Sequence, residues 1–95
     1  MTELEALRAQ IDTLDDALIA LVAERARVAI ALGRAKSALG RPLRDETREA
    51  QVRARLTATA PTPLEPSDVE ALQTTLTRIC LRAQTQAVET ERPKP

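Results

Sequence analysis

The sequence predicts an all-α fold of three helices, long, short and long, that needs a partner chain. Apolar residues recur every three or four positions in three segments, which is the period of a helix, and no segment alternates as a strand would. The 95 residues contain no Phe, Tyr or Trp and only one cysteine. A small domain without disulfides, metals or large aromatic side chains usually completes its core by association. We therefore expect an obligate oligomer.

The first helix is predicted from about Glu3 to Ser37. Its apolar seam, which persists over about four heptads, consists of Leu4, Leu7, Ile11, Leu14, Leu18, Leu21, Val28 and Leu32. A helix of this length would span roughly 50 Å, whereas a compact chain of this size has a radius of gyration of about 12–13 Å. The first helix therefore requires another helix alongside it. Gly40 and Pro42 predict where it ends.

A second, shorter helix is predicted over 45–56, with Asp45 as its N-cap. One face of this helix, charged at its start and apolar at its end, carries Asp45, Arg48, Glu49, Val52 and Leu56. Because the connecting turn is short, we expect the charged end of this face to lie beside the end of the first helix.

The third helix is predicted to follow a proline-rich linker at 60–66. Ser67 and Glu70 fit a capping box at its start, and the helix should continue to about Val88. Its inward stripe is predicted to consist of Val69, Leu72, Leu76, Ile79 and Ala83. We expect 91–95 to form a disordered tail.

Composition narrows the class of protein. We predict one domain, residues 1–90, in the cytoplasm, because no apolar run is long enough to cross a membrane and no secretory leader is recognisable. The lone Cys80 cannot form an internal disulfide, which agrees with a reducing compartment.

Lys and Arg total 14, as do Asp and Glu, and this balance argues against a nucleic-acid partner. The chain contains no histidine and no cluster with metal-ligand spacing, so we expect no metal site.

A cationic pair interrupts the seam of the first helix. Arg25 occupies the seam position between Leu21 and Val28, and a charge there is costly unless it is paired. Lys36 follows about three turns later, so both side chains point to nearly the same side, roughly 16 Å apart along the axis. Together they could grip a small dianion. Other interpretations stay open, because Arg25 could set the pairing of helices or form an interhelical salt bridge, and Lys36 could be a solvated helix end.

Further polar residues are candidates for the same site. Arg48 and Glu49 begin a helix that the turn must bring beside Lys36, although a surface ion pair would also explain them. Gln84 lies near the inward stripe, one turn after Cys80. A buried amide needs hydrogen-bond partners, so Gln84 either faces a ligand or is satisfied within the core. Cys80 by itself fits a small core residue.

Arg8 is predicted to lie far from Lys36 along the first helix. It precedes Lys36 by 28 residues, about 42 Å along the axis, so both cannot touch one small ligand from the same helix. If Arg8 belongs to the site, it must come from a second chain packed antiparallel. An antiparallel homodimer would then cover the seam and complete the site together.

Three stretches jointly carry a family resemblance: "LRAQIDTLDDALIALVAERARVAIALGRAK", then "RPLRDETREAQV", then a late helix with Cys80 and Gln84. From about Leu4 to Gln84 the chain resembles the all-helical chorismate mutases. The resemblance implies an intertwined homodimer of three-helix chains with two active sites, each built from both chains. It also implies a cofactor-free Claisen rearrangement of chorismate to prephenate, in the shikimate pathway towards aromatic amino acids.

The resemblance further implies how the dianionic substrate would be held. Arg8, given across the dimer, and Arg48 would bind substrate carboxylates. Arg25 would lie near the second carboxylate and the ether oxygen. Lys36 and Gln84 would hydrogen-bond that ether oxygen from opposite sides.

The remaining implied roles concern the ring and one departure from the family pattern. Asp45, through its backbone, and Glu49 would contact the ring hydroxyl. Cys80 stands where a serine is common, near the carboxylate site. Because a thiol is a weak donor, substrate binding could be weaker or differently tuned.

Alternatives remain at this point. Relatives of the same fold rearrange 4-amino-4-deoxychorismate in antibiotic pathways, and Glu49 could accept a hydrogen bond from a hydroxyl or an amine. Others eliminate pyruvate from isochorismate, but that type typically lacks the acidic pair of Asp45 and Glu49. A non-catalytic helical dimerisation module would explain the seam, but not why the charged residues occur together.

Overall fold

A computed structural model describes residues 2–93, and it contains three helices in these residues and no strand. They are α1 (Glu3–Ala38), α2 (Glu46–Ala58) and α3 (Pro66–Glu91). The predicted all-α order of long, short and long is confirmed. Within 2–93, no helix combines the length and apolarity needed to cross a bilayer.

Side-chain caps and a glycine turn define the ends of α1. Thr2 accepts a hydrogen bond from the Glu5 backbone, and Glu5 accepts one from the Thr2 backbone, which closes a capping box. At the other end Gly40 adopts φ 69°, a left-handed conformation that glycine tolerates. The Arg41 N–H then reaches the Lys36 carbonyl at 2.9 Å. This closure ends α1 one residue later than predicted and turns the chain back toward α2.

The start of α2 agrees with the sequence, whereas the start of α3 does not. Asp45 is the N-cap of α2, as predicted, and accepts from the Arg48 N–H at 2.9 Å. The predicted capping box of Ser67 and Glu70 is wrong, because α3 already begins at Pro66. Proline is favoured in the first helical turn, where its missing N–H costs nothing.

The C-terminal end of α3 also differs from the prediction. At the N-terminal end, Glu65 is the N-cap of α3, and Asp68 accepts a hydrogen bond from the Glu65 N–H at 3.0 Å. The helix therefore starts earlier than predicted, and it also ends later. It continues to Glu91, beyond the expected end near Val88. Glu91, assigned to the tail, is therefore helical. The last two residues of the predicted tail, 94–95, lie outside the described residues.

The three helices form a flat single layer. α3 packs against both α1 and α2, which within 2–93 do not pack against each other. The layer measures 61 × 30 × 14 Å, and its radius of gyration is 17.2 Å. That is well above the roughly 12–13 Å of a compact chain of this length. One chain alone therefore has an open face.

The open face carries the apolar seam of α1. Leu14 and Leu21 expose 67% and 62% of their surface, and every other seam leucine, isoleucine and valine is also exposed. The only buried residues among 2–93 are Gly33, Gln73, Cys80 and Gln84. The predicted inward stripe of α3 is thus partly wrong, because Leu72 is exposed and the buried stripe lies one position later. The cause is that α3 turns small and polar side chains, rather than its largest apolar ones, toward its neighbours.

Candidate active site

A cavity of about 380 Å³ opens between the three helices. Seven of the eight sequence-predicted site residues line it, namely Arg25, Lys36, Asp45, Arg48, Glu49, Cys80 and Gln84. Two more arginines also line it, which gives five cationic side chains against two carboxylates. This charge balance suits a small dianion, since guanidinium groups bind carboxylates in a planar, bidentate manner.

Arg25 reaches from α1 to α3 across this cavity. Its Nη1 donates to Cys80 Sγ at 2.9 Å and approaches the Leu76 carbonyl at 3.5 Å. Cys80 is a free, buried thiol. The seam charge is therefore anchored by a neighbouring helix in the same chain, and the expectation that it needs a partner is met without a carboxylate.

Lys36 is held by the turn that follows α1. Its Nζ donates to the Leu43 carbonyl at 2.9 Å, and its side chain is half-buried. The left-handed Gly40 reverses the chain so that Leu43 returns beside Lys36. An ammonium group has three donors, so the remaining two can face the cavity.

The first turn of α2 supplies the acidic part of the wall. The Asp45 carboxylate caps the helix through Oδ1, and its backbone carbonyl accepts the Glu49 N–H at 3.0 Å. The second carboxylate oxygen of Asp45 keeps acceptor capacity. Glu49 is 17% exposed at its side chain, and its Oε2 accepts from Arg44 Nε at 3.3 Å. Arg44 also approaches Glu46 at 3.7 Å. The Glu49 carboxylate is thus oriented from one side and keeps acceptor capacity toward the cavity.

One face of α3 forms the floor of the cavity. Cys80 and Gln84, one turn apart, are 5% and 7% exposed. Gln73 lies two turns before Cys80 on the same face and is 4% exposed; its Nε2 donates to Thr77 Oγ1 at 3.2 Å. Gln73 Oε1 has no hydrogen-bond partner among residues 2–93.

Arg8 is the predicted site residue that the structure does not bring to the cavity. It lies on the exposed N-terminal part of α1, and it is absent from the cavity lining. The length of α1 separates it from Lys36, as the sequence spacing requires.

The sequence analysis missed several residues around the site, Arg55 of the cavity lining among them. Arg44, Gln73 and Gly33 were not singled out, although Arg44 orients Glu49 and Gly33 lies against Gln84. A glycine inside a helix is a signal that could have been used, because it is unfavourable there without a packing reason. Within 2–93, no three His, Cys, Asp or Glu side chains group to hold a metal ion.

Comparison with known proteins agrees with this geometry. The sequence model of the family described as chorismate mutase type II matches residues 7–85. Form II of chorismate mutase from Thermus thermophilus is 28% identical, with a TM-score of 0.85 over 88% of this chain and 96% of that one. Form I of that enzyme is 29% identical, with a TM-score of 0.80 over 83% and 99% of the respective chains. No curated protein sequence matches the chain.

The fold and the cationic cavity, taken with these matches, are those of a small all-α isomerase. The family model covers most of the chain, and the protein belongs to the chorismate mutase type II family.

Proposed function

We propose that the protein works as an intertwined, antiparallel homodimer with two active sites, each completed by Arg8 of the other chain. The proposal is carried by one observation: a single cavity combines five cationic side chains, two carboxylates and the Gln84 amide, and it opens between helices whose apolar seam is uncovered. A second copy laid on the seam would bury that surface. The same copy would bring a distant Arg8 toward the cavity mouth.

The arginines bind the substrate in this proposal. Chorismate carries two carboxylates, and Arg48, Arg25 and the Arg8 of the second chain form charge-assisted pairs with them. Holding both carboxylates fixes the flexible side chain over the ring. Orientation of this kind lowers the barrier because the entropy is lost on binding rather than in the reaction step.

The two donors stabilise the transition state. The rearrangement is unimolecular and pericyclic, so it needs no nucleophile, general base or cofactor. Negative charge grows on the ether oxygen as the C–O bond breaks, and Lys36 and Gln84 donate to it. Donors aimed at developing charge stabilise the transition state more than the ground state.

The free energy that two donors contribute is large enough to account for much of the acceleration. One well-placed donor contributes about 3–4 kcal/mol, and a million-fold acceleration requires roughly 8 kcal/mol.

Glu49 and the backbone of Asp45 bind the ring hydroxyl and set which end of the ring enters. Cys80 supports the carboxylate-binding Arg25. We place the protein in the cytoplasm, where a lone free thiol persists.

The test measures turnover of two substrates by the purified protein. Chorismate and 4-amino-4-deoxychorismate are incubated separately, and the loss of each is followed. We expect chorismate to be consumed faster. Faster loss of 4-amino-4-deoxychorismate would show that the amino analogue, rather than chorismate, is the substrate. If neither compound is consumed, the protein would be a non-catalytic dimerisation module.

Two variants with matched controls test the site. Arg25→Ala and Gln84→Ala should each lower kcat/KM by about 10²–10³ while leaving a folded dimer. Arg27→Ala and Gln86→Ala change the same residue types two positions away, outside the cavity lining, and should stay active. If the cavity variants are as active as their controls, the site assignment is wrong.

A further inference from the structure

Gly33 marks a close approach between α1 and α3. It is the one residue of α1 that is buried within the chain, and it faces Gln84. A Cβ added at Gly33 would lie 3.1 Å from both Gln84 Cβ and Gln84 Cγ, and 3.5 Å from its Cδ. Non-bonded carbons prefer about 3.5–4.0 Å. A methyl group at position 33 would therefore push away the Gln84 side chain together with the α3 backbone that fixes its Cβ.

Backbone conformation does not explain this glycine. Among the described residues, Gly40 has a positive φ and Gly33 does not. Glycine in a helix interior is less favourable than alanine. What Gly33 provides is space, because the Cβ and Cγ of Gln84 lie where a side chain at position 33 would crowd them.

The Gln84 side chain depends on this packing for its orientation. It is 7% exposed and lines the cavity, yet its amide makes no hydrogen bond to any side chain or backbone group within 2–93. Lys36 follows Gly33 by one turn of α1 and lines the same cavity. The contact at Gly33 thus sets how far the amide of α3 stands from the ammonium of α1.

We propose that Gly33 is a positioning residue that fixes the Gln84 amide, and with it the separation of the two donors Lys36 and Gln84. This inference rests on the proposed function, in which both groups donate to the ether oxygen. Misplacement of a reacting group by about 1 Å can cost about 100-fold in rate. On the same logarithmic scale, a displacement of about 0.5 Å should therefore cost about tenfold.

The experiment compares kcat and KM for chorismate in Gly33→Ala, Gln84→Ala and the double variant. Gly33→Ala should lower kcat about tenfold and change KM by less than about twofold, because the carboxylate-binding arginines are untouched. In the Gln84→Ala background the same change should lower kcat by less than about twofold, since the amide is already gone. Ala31→Ser, which adds one heavy atom at an exposed position of α1, is the control and should match the parent protein.

Gln84→Asn keeps the proposal testable if Gly33→Ala does not fold. It retracts the amide by one carbon without adding an atom at Gly33, and it should also lower kcat with KM retained. Full kcat in Gly33→Ala or in Gln84→Asn would overturn the inference, and so would an equal loss from Gly33→Ala in both backgrounds. Full activity of Gln84→Ala would instead overturn the proposed function itself.

Discussion

Arg25 and Cys80 are joined across the cavity by a hydrogen bond of 2.9 Å from Nη1 to Sγ. The contact links α1 to α3 and holds the cationic Arg25 side chain in the wall of the cavity. Sulfur is a weak acceptor, so the thiol orients the guanidinium without neutralising it. The positive charge remains available to a carboxylate.

Substitutions at Cys80 should change substrate binding more than turnover. Among residues 2–93, Cys80→Ala leaves Arg25 with the Leu76 carbonyl at 3.5 Å as its remaining partner. KM for chorismate should therefore rise about 5- to 10-fold, corresponding to the loss of about 1 kcal/mol. Cys80→Ser restores a stronger hydrogen-bonding group, and KM should equal or fall below that of the parent protein. Steady-state kinetics of the two variants check this, and equal KM values would contradict it.

Mixed dimers should recover activity if the site is shared. Arg8→Ala and Gln84→Ala homodimers should both be nearly inactive. When the two chains are unfolded, mixed and refolded together, half of the dimers are heterodimers, and each has one site without a substitution. The mixture should therefore show about one quarter of the parent activity. Activity no higher than the average of the two parents would show that Arg8 acts within its own chain, or not at all.

A charge on the apolar seam should separate the chains. Leu14 is 67% exposed in one chain, and Leu14→Lys would place an unpaired ammonium where the second copy is proposed to pack. We expect a lower apparent mass by light scattering, less helical signal and no measurable turnover. Ala20→Lys, six positions on and about 120° around the helix, is the matched control. A Leu14→Lys dimer as stable as the control would place the interface elsewhere.

Turnover should depend little on pH near neutrality. The Gln84 amide has no proton to lose or gain between about pH 5 and 8, and the chain has no histidine. We therefore expect kcat for chorismate to be nearly constant across this range. A steep change in kcat there would indicate that a titrating side chain supplies the essential donor.

One ion pair should make stability depend on pH in acid. Arg34 Nε donates to Glu91 Oε1 at 2.8 Å, and this hydrogen bond lowers the pKa of Glu91 below its ordinary value of 4.5. The folded state therefore favours the charged carboxylate, so the contribution is complete above that ordinary value and is lost as the pH falls through the lowered one. The same contact raises the pKa of Arg34, which has no effect near neutral pH.

Thermal unfolding of Glu91→Gln measures this contribution. Because both groups are exposed, Tm should fall only slightly at neutral pH and low salt, and the difference should vanish in strong acid and in high salt. Glu89→Gln, at a residue with no ion pair within 2–93, should leave Tm unchanged. A difference that persists in acid would mean that Glu91 acts through packing rather than charge.

Local signals in the sequence predicted the fold well, because they act within a few residues. The helical period of the seam, the Asp45 cap and the turn at Gly40 all depend on neighbours in the chain. The start of α3 was misjudged because Ser67 and Glu70 also satisfy a capping pattern, and Pro66 decides between two nearby starts. The face of α3 was misjudged because an apolar count favours the largest side chains.

The sequence predicted most of the charged and amide residues that line the cavity, but not the contacts that position them. Arg25, Gln84 and their neighbours were found because polar groups on apolar faces are costly and because the family spacing agrees. Contacts between helices, such as Gly33 against Gln84, depend on how α1 and α3 cross, and no single segment encodes that. That Arg8 of a second chain completes each active site stays a prediction.

A single helix, α1, carries both the seam and the groups proposed to hold chorismate. Sliding one copy of α1 along the other by one turn would move Arg8 about 5 Å relative to the partner's cavity. The leucine spacing would still be largely matched after such a slip, but the substrate carboxylate would lose its contact. In the proposed dimer, the alignment of the two long helices is therefore itself a condition of catalysis, and a slipped pair would bury the same seam while losing the contact of Arg8 with chorismate.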